Sequence, residues 1–271
     1  MNRIFLTGRL LAAMFTTLAL TFAMMPEPVY GQQQKNPPPT IEFEARYWYA
    51  YSDFIYRPSL GVINLDFKAI LDLPDKGFPE GRITYYATPN HRFRADYTPL
   101  KYSVSRTLAE ARTTILGQTF TSSARIRGHL DIDYLKLGWI WQFLNTPDNV
   151  FKLGTLVEIT GADLSYRLLG AVNGSSVTRS SDQYTIGYPA VGLAMDLNPH
   201  RMFNIFMEAS GIVLGDLGNT IEMEAGVKLL LHRNLTVTGG YRYLDIHYKG
   251  LSRHNLRLTA AGPFGGLTLR F

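Results

Sequence analysis

The sequence predicts an all-β chain: a transmembrane, up-and-down antiparallel β-barrel of about ten strands, with eight and twelve as alternatives. Three observations lead there. From Thr40 onward apolar and polar residues alternate with period two, the pattern of strands with two unlike faces. The alternating runs are long, roughly ten to fourteen residues, where the strands of a soluble sandwich average about 5–6. After the N-terminus no run of about 18–20 apolar residues occurs, so a spanning helix is not available to the mature chain.

The N-terminus reads as an export signal over residues 1–31. Arg3 and Arg9 supply a positive n-region, Leu10 to Met25 an apolar h-region, and Val29-Tyr30-Gly31 a cleavage site before Gln32. An uncleaved anchor is the competing reading; the short h-region and the polar, Pro-rich spacer after it argue against that. Residues 32–39 (QQQKNPPP) form an extended linker, and residues 40–271 form the barrel. Cys is absent, which removes disulfides, thiolate metal sites and Cys nucleophiles and suits an oxidising compartment. The net charge of +5 is spread without a basic tract, so nucleic acid is not an expected partner.

The strands follow in order. Ile41, Phe43, Ala45, Tyr47, Tyr49 and Tyr51 alternate with Glu42, Glu44, Arg46 and Trp48; Phe203, Ile205, Met207 and Ala209 with Asn204 and Glu208; Ile221 to Leu231 with Glu222, Glu224 and Lys228; and Leu235, Val237, Gly239 and Tyr241 with Thr236, Thr238 and Arg242. Pro- and Asn-rich turn signals stand at Thr88–Asn90, Asn145–Asn149, Asn198–His200 and His232–Asn234. Longer irregular stretches lie near residues 53–80, 104–122, 169–182, 214–219 and 249–254. Four short turns alternating with five loops give ten strands with both ends periplasmic, the asymmetry expected of an outer-membrane barrel. Twelve strands would need a further hairpin within Gly61–Leu73.

In the fourth strand the alternation slips. Ile126, Leu130 and Ile132 oppose Arg125, Arg127, His129, Asp131 and Asp133, but beyond Tyr134 the apolar set becomes Leu135, Leu137, Trp139, Trp141 and Phe143. Similar slips occur near Gly161 and Tyr243–Leu244. A β-bulge near Tyr134–Lys136 would swap the faces; alternatively, the outer halves of these strands stand above the bilayer. Tyr47, Trp48, Tyr49, Tyr51, Trp139, Trp141, Tyr241, Tyr243 and Tyr248 fit interfacial girdles.

The polar face carries charge of both signs at successive positions. A lumen network is expected from Glu42, Glu44, Arg46, Arg92, Arg94, Arg125, Arg127, Asp131, Asp133, Glu222, Glu224 and Arg242, with Arg82, Arg257, Asp96, Glu158 and Glu208 as further inward candidates. Ten strands enclose little space, so large paired side chains should fill it. A closed structural or interaction barrel is therefore expected, with a narrow pore or small-molecule transport protein as the alternative.

The C-terminus, Gly266-Leu267-Thr268-Leu269-Arg270-Phe271, resembles the terminal β-signal of outer-membrane barrels, with Gly266, Leu269 and Phe271 at its key positions; Phe264 departs from it, where a polar residue is usual. The stretch Gly240–Tyr248 with Gly262-Pro263, and the stretch Pro79–Arg82 through His91–Pro99, resemble a broad family of uncharacterised bacterial outer-membrane β-barrels, small OmpA-like or porin-like barrels without a periplasmic domain. That resemblance implies residence in the cell outer membrane among lipid and lipopolysaccharide, and assembly by periplasmic chaperones and the barrel-insertion machinery. It implies no activity.

Catalysis is not expected. Asp131/Asp133 with Asp245/His247 resembles the water-activating arrangement of omptin proteases, but the fourth and ninth strands are not neighbours. Ser252 and His254 fall in a loop, unlike the Ser–His sites of lipid A deacylase and phospholipase barrels. His129, Asp131 and Asp133 along one strand are too spread for a compact metal site. No cofactor is implied.

Overall fold

The computed structural model describes residues 40–57, 65–66, 75–108, 113–115, 118–120, 124–172, 175–200, 202–213, 215, 218–232, 234–249 and 255–271. The expected signal peptide, the linker, and Ser252 and His254 lie outside these residues. Ten strands follow one another: β1 (Thr40–Arg57), β2 (Lys76–Thr88), β3 (His91–Leu108), β4 (Ala124–Asn145), β5 (Phe151–Val172), β6 (Ser175–His200), β7 (Phe203–Val213), β8 (Gly218–His232), β9 (Leu235–Lys249) and β10 (Asn255–Arg270). Each pairs antiparallel with the next, and β10 pairs with β1, so the meander closes into a ten-stranded barrel. Short pieces at Leu65–Asp66, Thr113–Ile115 and Gln118–Phe120 accompany it. Leu65–Asp66 pairs with β1 at Ile55 and Tyr56.

The expected turns at Thr88–Asn90, Asn145–Asn149 and His232–Asn234 are where the sequence puts them, all at one end; the β6–β7 turn at that end comes later than expected, since Asn198–His200 are strand and His200 pairs with Phe203. Thr88 Oγ1 accepts bonds from the Asn90 and His91 amides. In the β4–β5 turn Asn149 takes a left-handed φ of 57°, a conformation Asn tolerates better than most residues. The Thr146 hydroxyl and then the Val150 amide hold the Asp148 carboxyl below its ordinary range there. At the same end the seam closes: the Phe271 amide donates to Ile41 O at 2.9 Å and the Ile41 amide to Phe271 O at 3.2 Å.

At the opposite end one expectation needs correction. Residues 169–182 are mostly strand rather than loop, because β5 and β6 continue until Val172 faces Ser175. β4 and β5 are each 22 residues long and β6 is 26, against 11 for β7. A membrane crossing needs about 9–11 residues. The surplus forms a wall of β3 to β6 rising on one side of the barrel.

No register shift interrupts the middle of any strand; the shifts lie at the turn end or, on β5–β6, at Gly170/Ala171. Partners therefore share parity through the barrel body, and among the described side chains the even-numbered residues of every strand face inward. This excludes the β-bulge at Tyr134–Lys136 and leaves the other explanation. Leu130 and Ile132 point inward at 3% exposure, while His129 and Asp133 are exposed. The charged-outside, apolar-inside pattern is that of a wall in water.

Two tiers result. Near the turn end the outward face is apolar: Ile41, Phe43, Ile83, Tyr85, Leu135, Leu137, Phe143, Val191, Leu193, Met207, Met223, Leu229, Leu267 and Leu269 are all well exposed. Tyr47, Tyr49, Tyr51, Tyr97 and Tyr241 border this band on the side of the tall wall. Beyond them the outward positions turn polar, with Lys101, Ser103, His129, Asp133, Gln183 and Arg257. A closed barrel with an apolar exterior is the strand architecture that can satisfy every backbone group in lipid. The chain is thus built as an outer-membrane protein whose far rim stands in water.

Candidate functional site

The candidate site is the lumen. Alternation places Glu42, Glu44 and Arg46 of β1, Glu80 and Arg82 of β2, Arg94 and Asp96 of β3, Lys136 of β4, Glu158 of β5, Asp196 of β6, Glu208 of β7, Glu222 and Glu224 of β8, and Arg242 of β9 on the inner face, each less than a tenth exposed. Burial of this many charges is tolerable only if they are paired, and all of these but Glu44 are.

Glu224 is the hub. Its carboxylate accepts two bonds from Arg46, at 2.8 and 2.9 Å, and two from Arg82, at 3.0 and 3.1 Å. Arg82 Nε also donates to Asp96 at 2.5 Å. Glu222 takes Lys136 Nζ at 2.8 Å, the Tyr134 hydroxyl at 3.0 Å and Arg242 at 2.9 Å, and Arg242 pairs further with Glu80. Arg94 joins Glu208 at 2.5 Å and Glu158 at 2.9 Å, and Arg92 joins Asp196 at 3.1 Å. Many of these pairs cross the lumen, tying β1 and β2 to β8, β4 to β8, β3 to β5 and β7, and β9 to β2. Fork-shaped guanidinium–carboxylate contacts give strength and fixed geometry together.

Above this layer, toward the tall wall, the lumen turns apolar. Trp48, Phe78, Leu100, Tyr102, Leu130, Ile132, Leu164, Leu244, Ile246, Leu258 and Ala260 face inward with at most 4% exposure. Leu100, Ile132 and Leu164 sit directly opposite one another on β3, β4 and β5. Trp48 links the tiers: its Nε1 donates to Gly262 O at 3.2 Å, and the Arg242 guanidinium lies 4.7 Å from its ring.

Glu42, Arg46, Arg92, Arg94, Glu222, Glu224 and Arg242 are in the lumen and paired; Glu42 accepts from Arg270 and from the Tyr86 hydroxyl. Glu44 is in the lumen, but its Oε1 has no hydrogen-bond partner among the described residues. Arg82, which faces it across the strand pair, is taken by Asp96 and Glu224. Asp131 and Asp133 do not belong: they lie on the outward face of β4, where the Tyr97 hydroxyl donates to Asp133 at 2.6 Å. Arg257 is also outward, 58% exposed beside Asp245. Arg125 and Arg127 are strand residues of β4 whose side chains are outside the described set. Trp48 belongs to the lumen, not to a girdle.

Glu80, Lys136 and Asp196 are network members that the alternation could have shown. Glu80 stands two before Arg82, Lys136 two after Tyr134, and Asp196 two after Ala194; each shares a face with an inward neighbour.

The dyads considered for catalysis do not converge. Asp131/Asp133 on β4 and Asp245/His247 on β9 occupy outward positions, with β5 to β8 between them. Asp245 instead accepts from the Thr259 hydroxyl at 2.7 Å, and His129 lies 3.0 Å from Ser103 Oγ.

The C-terminal residues divide between the two faces. Leu269 and Phe271 point outward, 48% and 72% exposed, and Phe271 meets Phe43 edge-on at 5.9 Å. Gly266 is inward, and a Cβ there would stand 2.7 Å from Arg46 Cγ, so glycine gives Arg46 its passage toward Glu224. Phe264, also inward, lies 4.0 Å beneath the Arg46 guanidinium and serves a lumen position with its π-face in place of a polar group. Deletion of Phe271 removes a lipid-facing ring and two seam bonds but leaves Glu42–Arg57 paired with β10. The expected outcome is degradation or periplasmic accumulation in cells, with refolding in detergent largely intact. Normal heat-modifiable, protease-resistant protein in the outer membrane of the deletion strain would contradict it.

No protein-family model matches the chain, and no curated protein is similar to it in sequence. Solved structures similar in part include the attachment invasion locus protein Ail of Yersinia pestis, at 11% identity over 85% of this chain and 98% of that one, with a TM-score of 0.30. The outer membrane protein AlkL in lipid bilayers matches at 9% identity over 91% and 97%, with a TM-score of 0.37. Neisserial surface protein A matches at 13% identity over 88% and 100%, with a TM-score of 0.29.

Proposed function

We propose that the protein is a closed, non-conducting barrel of the outer membrane that serves as a structural or interaction scaffold, its filled lumen holding a water-exposed wall of sheet outside the cell. The two-tier filling of the lumen carries this reading: an ionic layer that ties opposite walls together, capped by Trp48, Phe78, Leu100, Ile132 and Leu244 at 3% exposure or less. An ion entering from outside would have to cross the apolar tier and then break paired charges. Lipid and lipopolysaccharide would contact the outward band, and the insertion machinery would read the Leu269–Phe271 end. No catalytic role is included, since the residues that suggested one face outward on separate strands.

The test is planar-bilayer conductance of the refolded full chain. The expected trace is flat, with at most rare, brief openings. Steady, reproducible channels would replace this reading with that of a narrow pore.

A further inference from the structure

β6 is bonded on one side for its whole length and on the other for less than half. Its pairing with β5 runs from Phe151–Leu197 to Val172–Ser175, whereas its pairing with β7 runs only from the turn to Gly211–Val191. Among the described residues, the ladder toward β7 does not continue beyond Val191, although β7 itself runs on to Val213. The direction of the hydrogen-bonding groups follows from the turn: Asn198 N donates to Val150 O, on the β5 side. From Thr178 to Asn198, where the register with β5 is unbroken, even-numbered residues of β6 thus bond toward β5, and odd-numbered ones point toward β7 and, above it, toward the open edge. Pro189 is odd-numbered and stands just past Val191, where the β7 ladder stops. A residue without an N–H is tolerated there because no bond toward β5 is lost.

We propose that this edge is a docking strand for an extended segment of another polypeptide, which adds antiparallel to β6 in the place that β7 vacates and continues its ladder outside the membrane. Exposed edges of this kind are templates for strand addition, in which main-chain bonds provide the affinity. A second copy in the same membrane does not fit. Its two-fold axis would run along the membrane normal and set the two edges parallel, each residue opposite its own copy. Parallel pairing instead needs groups staggered between the strands, so N–H would face N–H. Ser175–Ala190 contains one Arg and one Asp, so the fitting partner is an uncharged, strand-forming segment free of proline. The proposal deepens the scaffold reading and rests on it for the edge standing in water.

Hydrogen exchange on the refolded full chain in detergent tests the edge first. Between Arg179 and Tyr188, the amides of Ser181, Thr185 and Gly187 should exchange at least tenfold faster than those of Ser180, Ile186 and Tyr188. The second measurement titrates a fluorescent ten-residue peptide of alternating Thr and Val, and the same peptide N-methylated on every residue, which leaves no donor on either of its edges. The plain peptide should bind and slow the odd-numbered amides, and Thr185→Pro should weaken it at least tenfold while Thr185→Ala does not. Heat-modifiability of each variant confirms the barrel. Odd-numbered amides already protected in the free chain, a self-associated dimer protecting them, or equal binding of the methylated peptide would each overturn the proposal. Conductance is scored separately, so a channel would defeat the closed-lumen reading and leave the edge result standing.

Discussion

Replacing Glu222 and Glu224 together by Gln is expected to cost the barrel on the order of 5 kcal/mol or more, since breaking one buried ion pair costs about 3–5 kcal/mol. The two carboxylates are the counter-charges of Arg46, Arg82, Lys136 and Arg242. Gln keeps the shape but removes the charge, and one of its two ends is an N–H donor set against guanidinium donors. The cations have no route to water from inside a lumen this closed, so the desolvation cost of each is left standing. The two losses should not simply add, because Arg242 can still lean on Glu80 and Arg82 on Asp96, and shared partners couple substitutions. A fall in the urea midpoint and in the heat-modification temperature of refolded protein is the readout. Asp133→Asn, a carboxylate lost from the outer surface, is the matched control and should change little. A double variant as stable as its parent would mean that the lumen is hydrated enough to screen these charges, and would favour the pore.

The architecture was readable in the sequence because alternation and turn chemistry are local. Thr88-Pro89-Asn90 or Asn145-Thr146-Pro147-Asp148-Asn149 needs no distant partner to be a turn, and Glu222-x-Glu224 beside Met223 shows its two faces unaided. What local pattern does not contain is the height of the membrane along each strand. His129, Asp131 and Asp133 look inward if the whole strand is assumed to lie in lipid, since the apolar face is then the outer one. In β4 the solvent changes partway along the strand, so the same alternation reverses its meaning without any change of backbone register. The length of β5 and β6 was obscured for a related reason. Residues 169–182 are rich in Ser, Gly and Thr, which suits a loop in isolation, yet each strand there has the other as its ladder partner. Glu44 shows the limit on the energetic side: its inward position follows from alternation, but that Arg82 opposite it is claimed by other carboxylates follows only from the cross-lumen geometry.

The reversal within β4 makes opposite demands on adjacent residues, and the second large effect is expected there. Ile132 is 3% exposed, flanked by Leu100 and Leu164 on the neighbouring strands. Truncation to Ala leaves a cavity in a packed apolar layer and should cost about 2–5 kcal/mol. Ile132→Asp should cost more, because a carboxylate would be buried with no cation beside it in that tier. One residue further on, Asp133 stands in solvent on the outer face and lies directly opposite Asp163, a like-charge pair that is mildly unfavourable in itself. Asp133→Ala gives up the exposed bond from Tyr97 but relieves that repulsion, so its net effect should stay within about 1 kcal/mol. If the strand instead swapped faces at a bulge, Ile132 would meet lipid and tolerate Ala, while Asp133 would be a buried lumen charge whose loss is costly. Urea unfolding of Ile132→Ala and Asp133→Ala in the same detergent separates the two arrangements by the order of their midpoints: the Ile132 variant should unfold first, and the reverse order would place the charged half of β4 inside the barrel after all.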